Sequence, residues 1–226
     1  MPELQTLFLS LRVGLCAAIV TLVPAIIVAW ILVRTRLPGR SLINAVVHSP
    51  LVLPPVAIGY LLLLLLGVKG PLGHWLNDAF GIRLVFTTAG AVIASAVMAF
   101  PLMVRAIKLS LEAVDHQLEF VARSLGASRF DAFFSVTLPL MLPGILAGFL
   151  MAFAASLGEF GATITFASNI EGQTRTLPLA IYTAIQSPNG DAMALRLVML
   201  SMVLAIIALI ASEFAERRTR ARISGQ

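Results

Sequence analysis

Cys16 is the only cysteine among 226 residues, so no intrachain disulfide can form, and its apolar surroundings mark it as a small core residue. The three histidines, His48, His74 and His116, are too dispersed to build a metal site. A Gly-Lys pair occurs nowhere, which removes the phosphate-cradling P-loop, and neither His-Glu-x-x-His nor Gly-x-Ser-x-Gly is found. A P-loop nucleotide site on this chain is therefore excluded, and an intramembrane enzyme is disfavoured. Charge is scarce as well: 12% of residues are charged and 59% hydrophobic, with a mean hydropathy of +0.96, where a soluble domain carries roughly 25% charged residues. The chain reads as an all-α integral membrane protein.

Four windows lack Asp, Glu, Lys and Arg over the ~20 residues that a hydrocarbon core demands: Val13–Val33, Val46–Gly67, Leu84–Val104 and Ala132–Gly158. A fifth, Leu197–Ser212, becomes long enough once Met193, Ala194 and Leu195 are added. About five transmembrane helices follow, and the first window is too long for a cleaved signal peptide. Three prolines in Pro50-Leu-Val-Leu-Pro54-Pro55 predict a local break in the second span. Val68 to Arg83 reads as a short interfacial element with Trp75 at headgroup depth. Phe160–Ile170 is too short to cross at about 1.5 Å per residue, and is expected to dip along the bundle before a short helix near Leu177–Gln186.

Basic residues divide unequally between the two sides. Arg34, Arg36, Arg40, Arg105, Lys108, Arg123, Arg129, Arg217, Arg218, Arg220 and Arg222 share one side, while Lys69, Arg83, Arg175 and Arg196 fall on the other with Arg12 at the start of the first span. The positive-inside rule puts the N-terminus outside and the C-terminus in the cytoplasm. The net charge of +5 reflects this asymmetry, and no basic face interleaved with aromatics points to nucleic acid.

The stretch from Glu119 to Pro139 is polar between hydrocarbon flanks. Val114, Leu118, Val121 and Leu125 repeat at helical spacing on one face, with Asp115 as N-cap and Glu119 near the positive end of the dipole. Gly126 interrupts the helix, and Ser128-Arg129-Phe130-Asp131 reads as a capping box opening another. The product is a helix-Gly-helix elbow. Its apolar stripe has two possible homes, the lipid surface or a groove on a soluble partner; the mixed charges Asp115, Glu119 and Asp131 favour the protein.

These residues resemble a loop in the permease subunits of ATP-binding-cassette importers, whose pattern is Glu-Ala-Ala, three residues, Gly, nine residues, Ile, one residue, Leu-Pro. Gly126, Val136 and Leu138-Pro139 match that spacing, whereas the acid, Glu119, stands one place early, with Phe120 and Val121 at the Glu and first Ala positions. Leu51-Val-Leu-Pro-Pro-Val, Phe100-Pro-Leu-Met-Val-Arg105, Ser156-Leu-Gly-Glu-Phe-Gly-Ala-Thr163 and Thr174-Arg-Thr-Leu-Pro178 are similar to molybdate permease subunits. Sulfate/thiosulfate permeases share the layout and form the alternative.

The resemblance implies a type I importer permease in a bacterial plasma (inner) membrane, made of one permease domain over residues 1–226 with its coupling elbow at 112–137. Glu119, Ala122, Arg123, Gly126, Ala127, Phe130, Leu138 and Pro139 would couple to the ATPase. No cofactor is expected on this chain, with ATP-Mg held by the ATPase. The implied partners are a second copy, two ATP-binding subunits, a periplasmic or lipoprotein oxyanion-binding protein and the bilayer. Molybdate is the implied substrate, with tungstate as co-substrate. Ser156, Gly158, Glu159, Gly161, Thr163 and Thr165 are candidates for the path or gate. Hydroxyls there could guide an oxyanion or simply bond their own backbone, and Glu159 could pair with Arg105 or Arg12. An ion-coupled transporter would want ionisable relays at mid-membrane, which the uncharged windows lack.

Overall fold

The structure, a computed structural model, describes residues 2–35 and 37–223; Arg36, counted above for orientation, lies outside them. The described residues are helical, and four helices are long and apolar enough to cross a bilayer. These are α1 (Pro2–Arg34), α5 (Thr88–Glu112), α8 (Leu138–Leu157, continuous with a shorter helix before it) and α11 (Asp191–Ile223). They coincide with the first, third, fourth and fifth apolar windows.

The second window is not one straight span. It divides into α2 (Arg40–His48), a 3-10 turn at Ser49–Leu51 and α3 (Pro55–Leu66), and the two halves meet at 113°. Backbone chemistry explains the break. In a continuous helix the carbonyls of Pro50 and Leu51 would be met by the N–H groups of residues 54 and 55, and both are proline. Counted as one broken crossing, the pair brings the spans to five. Short helices complete the chain: α4 (Pro71–Phe80), α6 (His116–Ser124), α7 (Arg129–Ala132), a π-helical turn at Phe133–Thr137, α9 (Gly161–Phe166) and α10 (Leu177–Ile185). Trp75 of α4 is exposed and stacks edge-on against Phe80 at 5.5 Å.

The centre is a three-helix unit of α1, α5 and α8. Ala18, Ala25 and Ala29 of α1 meet Ala99, Met103 and Ile107 of α5 and Met141, Ile145 and Ala152 of α8 in one buried cluster. Lipid tails are as apolar as leucine, so close contact between small residues, more than hydrophobicity, holds such helices together. Gly144 and Gly148 of α8 supply that closeness. A Cβ on Gly144 would lie 2.1 Å from the Ser110 Cβ, and one on Gly148 would lie 3.1 Å from the Met103 carbonyl oxygen. The C-terminal ends of α1 and α5 share one end of the bundle, where α8 begins and the elbow projects. At the opposite end Ser10 Oγ accepts from the Leu177 amide at 2.7 Å and Thr88 Oγ1 donates to the Gln173 carbonyl at 2.7 Å. These bonds fasten the 168–176 loop and α10 to α1 and α5.

Candidate functional site

The elbow is built as its sequence predicts. Asp115 caps α6, accepting from the Gln117 amide at 2.9 Å. The helix ends in a Schellman motif: the Ala127 amide donates to the Ala122 carbonyl at 3.2 Å and the Gly126 amide to the Arg123 carbonyl at 3.0 Å. That closure demands a left-handed residue, and Gly126 supplies it at φ 97°. Ala122 and Ala127, the positions between which such motifs place an apolar contact, are both half-buried. The capping box forms with Asp131: Ser128 Oγ accepts from the Asp131 amide at 3.1 Å, and Asp131 Oδ2 accepts from the Ser128 amide at 3.1 Å. The hydroxyl and amide of Ser128 hold the Asp131 carboxyl below the ordinary carboxylate range.

The apolar stripe is uncovered. Phe120, Leu125 and Phe130 are 72%, 84% and 78% exposed, with Leu118, Val121 and Phe134 exposed beside them, whereas Val114 is buried in the bundle. Arg123 and Arg129 are exposed on the same projection. Leu138 and Pro139 begin α8, Leu138 packed on the core and Pro139 open.

Glu119 departs from the expected display. Its side chain turns inward, where Oε1 accepts from Thr137 Oγ1 at 2.6 Å and pairs with Arg34 Nη2 at 3.2 Å. The guanidinium side chain is 5% exposed and the carboxylate 21%. An exposed pair such as Lys108–Glu112, at 3.8 Å, contributes about 0.2–1 kcal/mol; removing one partner of a buried pair costs about 3–5 kcal/mol. Sequence reasoning counted Arg34 only as an orienting charge. The one signal that could have found its role was the misplaced acid: a helix advances about 100° per residue, so an acid one position early faces the bundle while Phe120 faces out.

The path candidates gather where α8 ends. Glu159 pairs with neither Arg105 nor Arg12, both of which are exposed elsewhere. Its carboxylate instead accepts from the Ala162 amide at 2.7 Å, satisfying a free donor at the start of α9. Thr165 takes the bland role, donating to the Gly161 carbonyl at 2.8 Å. Ser156 and Thr163 are buried with hydroxyls that have no hydrogen-bond partner. Gly158 is open, and Gly161 lies where a Cβ would stand 2.7 Å from Pro55 Cβ. Reciprocally, a Cβ on Gly59 would lie 2.7 Å from Thr165 Cβ. Two glycines thus bring the short helices α3 and α9 into backbone contact, which the sequence reading did not foresee.

A bundle of apolar helices with a broken crossing, a short α9 packed against α3 and a projecting elbow is the architecture of a multi-pass membrane protein. The chain belongs to the family of binding-protein-dependent transport system inner membrane components, whose pattern matches residues 22–221. The molybdenum transport system permease protein of Escherichia coli (strain K12) is 55% identical over 221 residues, covering 98% of this chain and 96% of that protein. The sulfate transport system permease protein of the same organism is 37% identical over 182 residues, covering 79% of this chain and 65% of that one. Among solved structures, a bacterial alginate ABC transporter in complex with an alginate-bound periplasmic protein shares the fold, with a TM-score of 0.75 at 15% identity over 95% of this chain and 78% of that one. The family and these relatives make the chain a transport subunit, not an enzyme.

Proposed function

We propose that this chain forms the translocation path of an ATP-driven importer for molybdate, with tungstate as co-substrate. It acts as a homodimer, served by two ATP-binding subunits and an oxyanion-binding protein. The observation that carries the reading is the bare aromatic elbow. Phe120, Leu125 and Phe130 are bare on a capped turn outside the bundle, and exposed apolar surface of that kind marks a binding surface. In the cycle, the binding protein delivers the dianion to the far end of the bundle. ATP-driven closure of the two ATPase subunits displaces the two elbows and thereby opens access to the other side. The more distant likeness to the sulfate permease supports molybdate over sulfate. Vesicles reconstituted with all subunits are expected to take up labelled molybdate in the presence of a tenfold excess of sulfate and to lose that uptake to tungstate. Preferential competition by sulfate would overturn the substrate.

The excess of basic residues at the elbow end supports a cytoplasmic elbow and an N-terminus outside. In a variant lacking Cys16, Ser124→Cys is expected to resist a membrane-impermeant thiol reagent in intact cells and to react after lysis, while Asn77→Cys reacts in both. The reverse pattern inverts the topology.

A further inference from the structure

Arg34 is the last residue of α1, and its one guanidinium touches four residues, Trp30 of its own helix and Val114, His116 and Glu119 at the start of the elbow. Its Cζ lies 5.9 Å from the ring centre of Trp30, and Trp30 meets Phe133 of the π-helical turn edge-on at 5.1 Å. Nη2 donates to the Val114 carbonyl at 3.4 Å, at the hinge between α5 and α6. Nη1 contacts the ring of His116 at the start of α6. Nη2 also pairs with Glu119, whose same oxygen receives the Thr137 hydroxyl. A flexible ammonium could not serve these partners together; a planar fork can.

The arrangement is not optimal for stability alone. Nε is buried without a partner, and an apolar residue would spare the desolvation of a buried charge. π-helical turns such as Phe133–Thr137 insert a residue into the helix ladder and occur often at functional sites. Here the turn is the only covalent link from elbow to α8, and Thr137 is the residue by which Glu119 holds it.

We propose that Arg34 is a positioning residue that fastens the elbow to α1 and, through Glu119 and Thr137, to the head of α8, so that force on the elbow moves both helices together. This rests on the reading that the elbow receives the ATPase. Without Arg34 the elbow, jointed to α5 at Val114, swings without carrying the bundle. ATP is then hydrolysed without transport.

The test uses the complete transporter in vesicles and measures substrate taken up per ATP hydrolysed, together with co-purification of the ATP-binding subunits. Arg34→Gln is expected to keep the subunits and to lower the ratio about tenfold, the scale of one charge-assisted bond. Arg34→Lys is expected to restore little. Arg34→Glu combined with Glu119→Arg is expected to recover more coupling than either change alone. An unchanged ratio in Arg34→Gln, no recovery in the exchange, or loss of the subunits would each overturn the proposal. If Arg34→Gln does not accumulate, Thr137→Val carries the measurement: a partial fall in the ratio supports the fastening, and an unchanged ratio sinks it. The docking reading fails separately, if Phe130→Asp retains the ATP-binding subunits as tightly as the unaltered chain.

Discussion

Replacing Gly126 with isoleucine is expected to abolish co-purification of the ATP-binding subunits, and uptake with it, while leaving membrane insertion and the helical content intact. The separation of effects follows from geometry. No atom lies within 4 Å of the site a Cβ would occupy, so the substitution meets no clash, but φ is +97°. A left-handed L-residue costs about 1–2 kcal/mol, and β-branching makes it worse. An exposed elbow with little packing of its own cannot resist that strain, so the Schellman closure opens and α7 leaves its place relative to α6. Asparagine tolerates the left-handed region, so Gly126→Asn is expected to retain most association. Equal behaviour of the two variants, measured by co-purification, would show that bulk rather than backbone conformation matters there.

Gly144→Ile is expected to do the opposite and damage the bundle itself. The new Cβ would stand 2.1 Å from the Ser110 Cβ and 3.0 Å from the Ala106 carbonyl, and neither neighbour is the free end of a flexible side chain. Overpacking of a tight core typically costs about 1–3 kcal/mol, and this contact lies between two helices that build the core. The variant should lose most monodisperse protein on size-exclusion chromatography in detergent. Adding Ser110→Gly removes the nearest atom and is expected to recover part of the yield. Full yield from Gly144→Ile alone would mean that α5 and α8 are not in close contact.

Long apolar windows were legible because uncharged runs of that length admit few alternatives, and α1, α5, α8 and α11 lie where they predict. Local backbone chemistry was legible too: the Asp115 cap, the Ser128–Asp131 box and the turn at Gly126 depend on neighbours in sequence. The break in the second span was legible from Pro54 and Pro55, but its first half escaped, because a window that opens at Val46 misses the start of α2 at Arg40. Leu42, Ile43, Val46 and Val47 recur at helical spacing on α2, and Gly39 precedes it at φ 85°, so a separate amphipathic helix was readable there. The Glu159 pairing failed for a related reason. A carboxylate beside a break can serve a distant arginine or the free amides three residues on, and only the fold decides. Arg34 and Glu119, separated by 85 positions in sequence, offered no local pattern at all.

The kink ahead of α3 constrains what may touch that flank. Leu62, Leu63 and Leu66 pack beside the first turns of α5, and α3 has only 12 residues, which at about 1.5 Å each reach some 18 Å back. Val52 and Leu53, both exposed, therefore sit inside the ~30 Å greasy slab. Two carbonyls there, robbed of donors by Pro54 and Pro55, would be left dry by acyl chains. That flank belongs against water or another polypeptide and not against an outer, lipid-bathed surface.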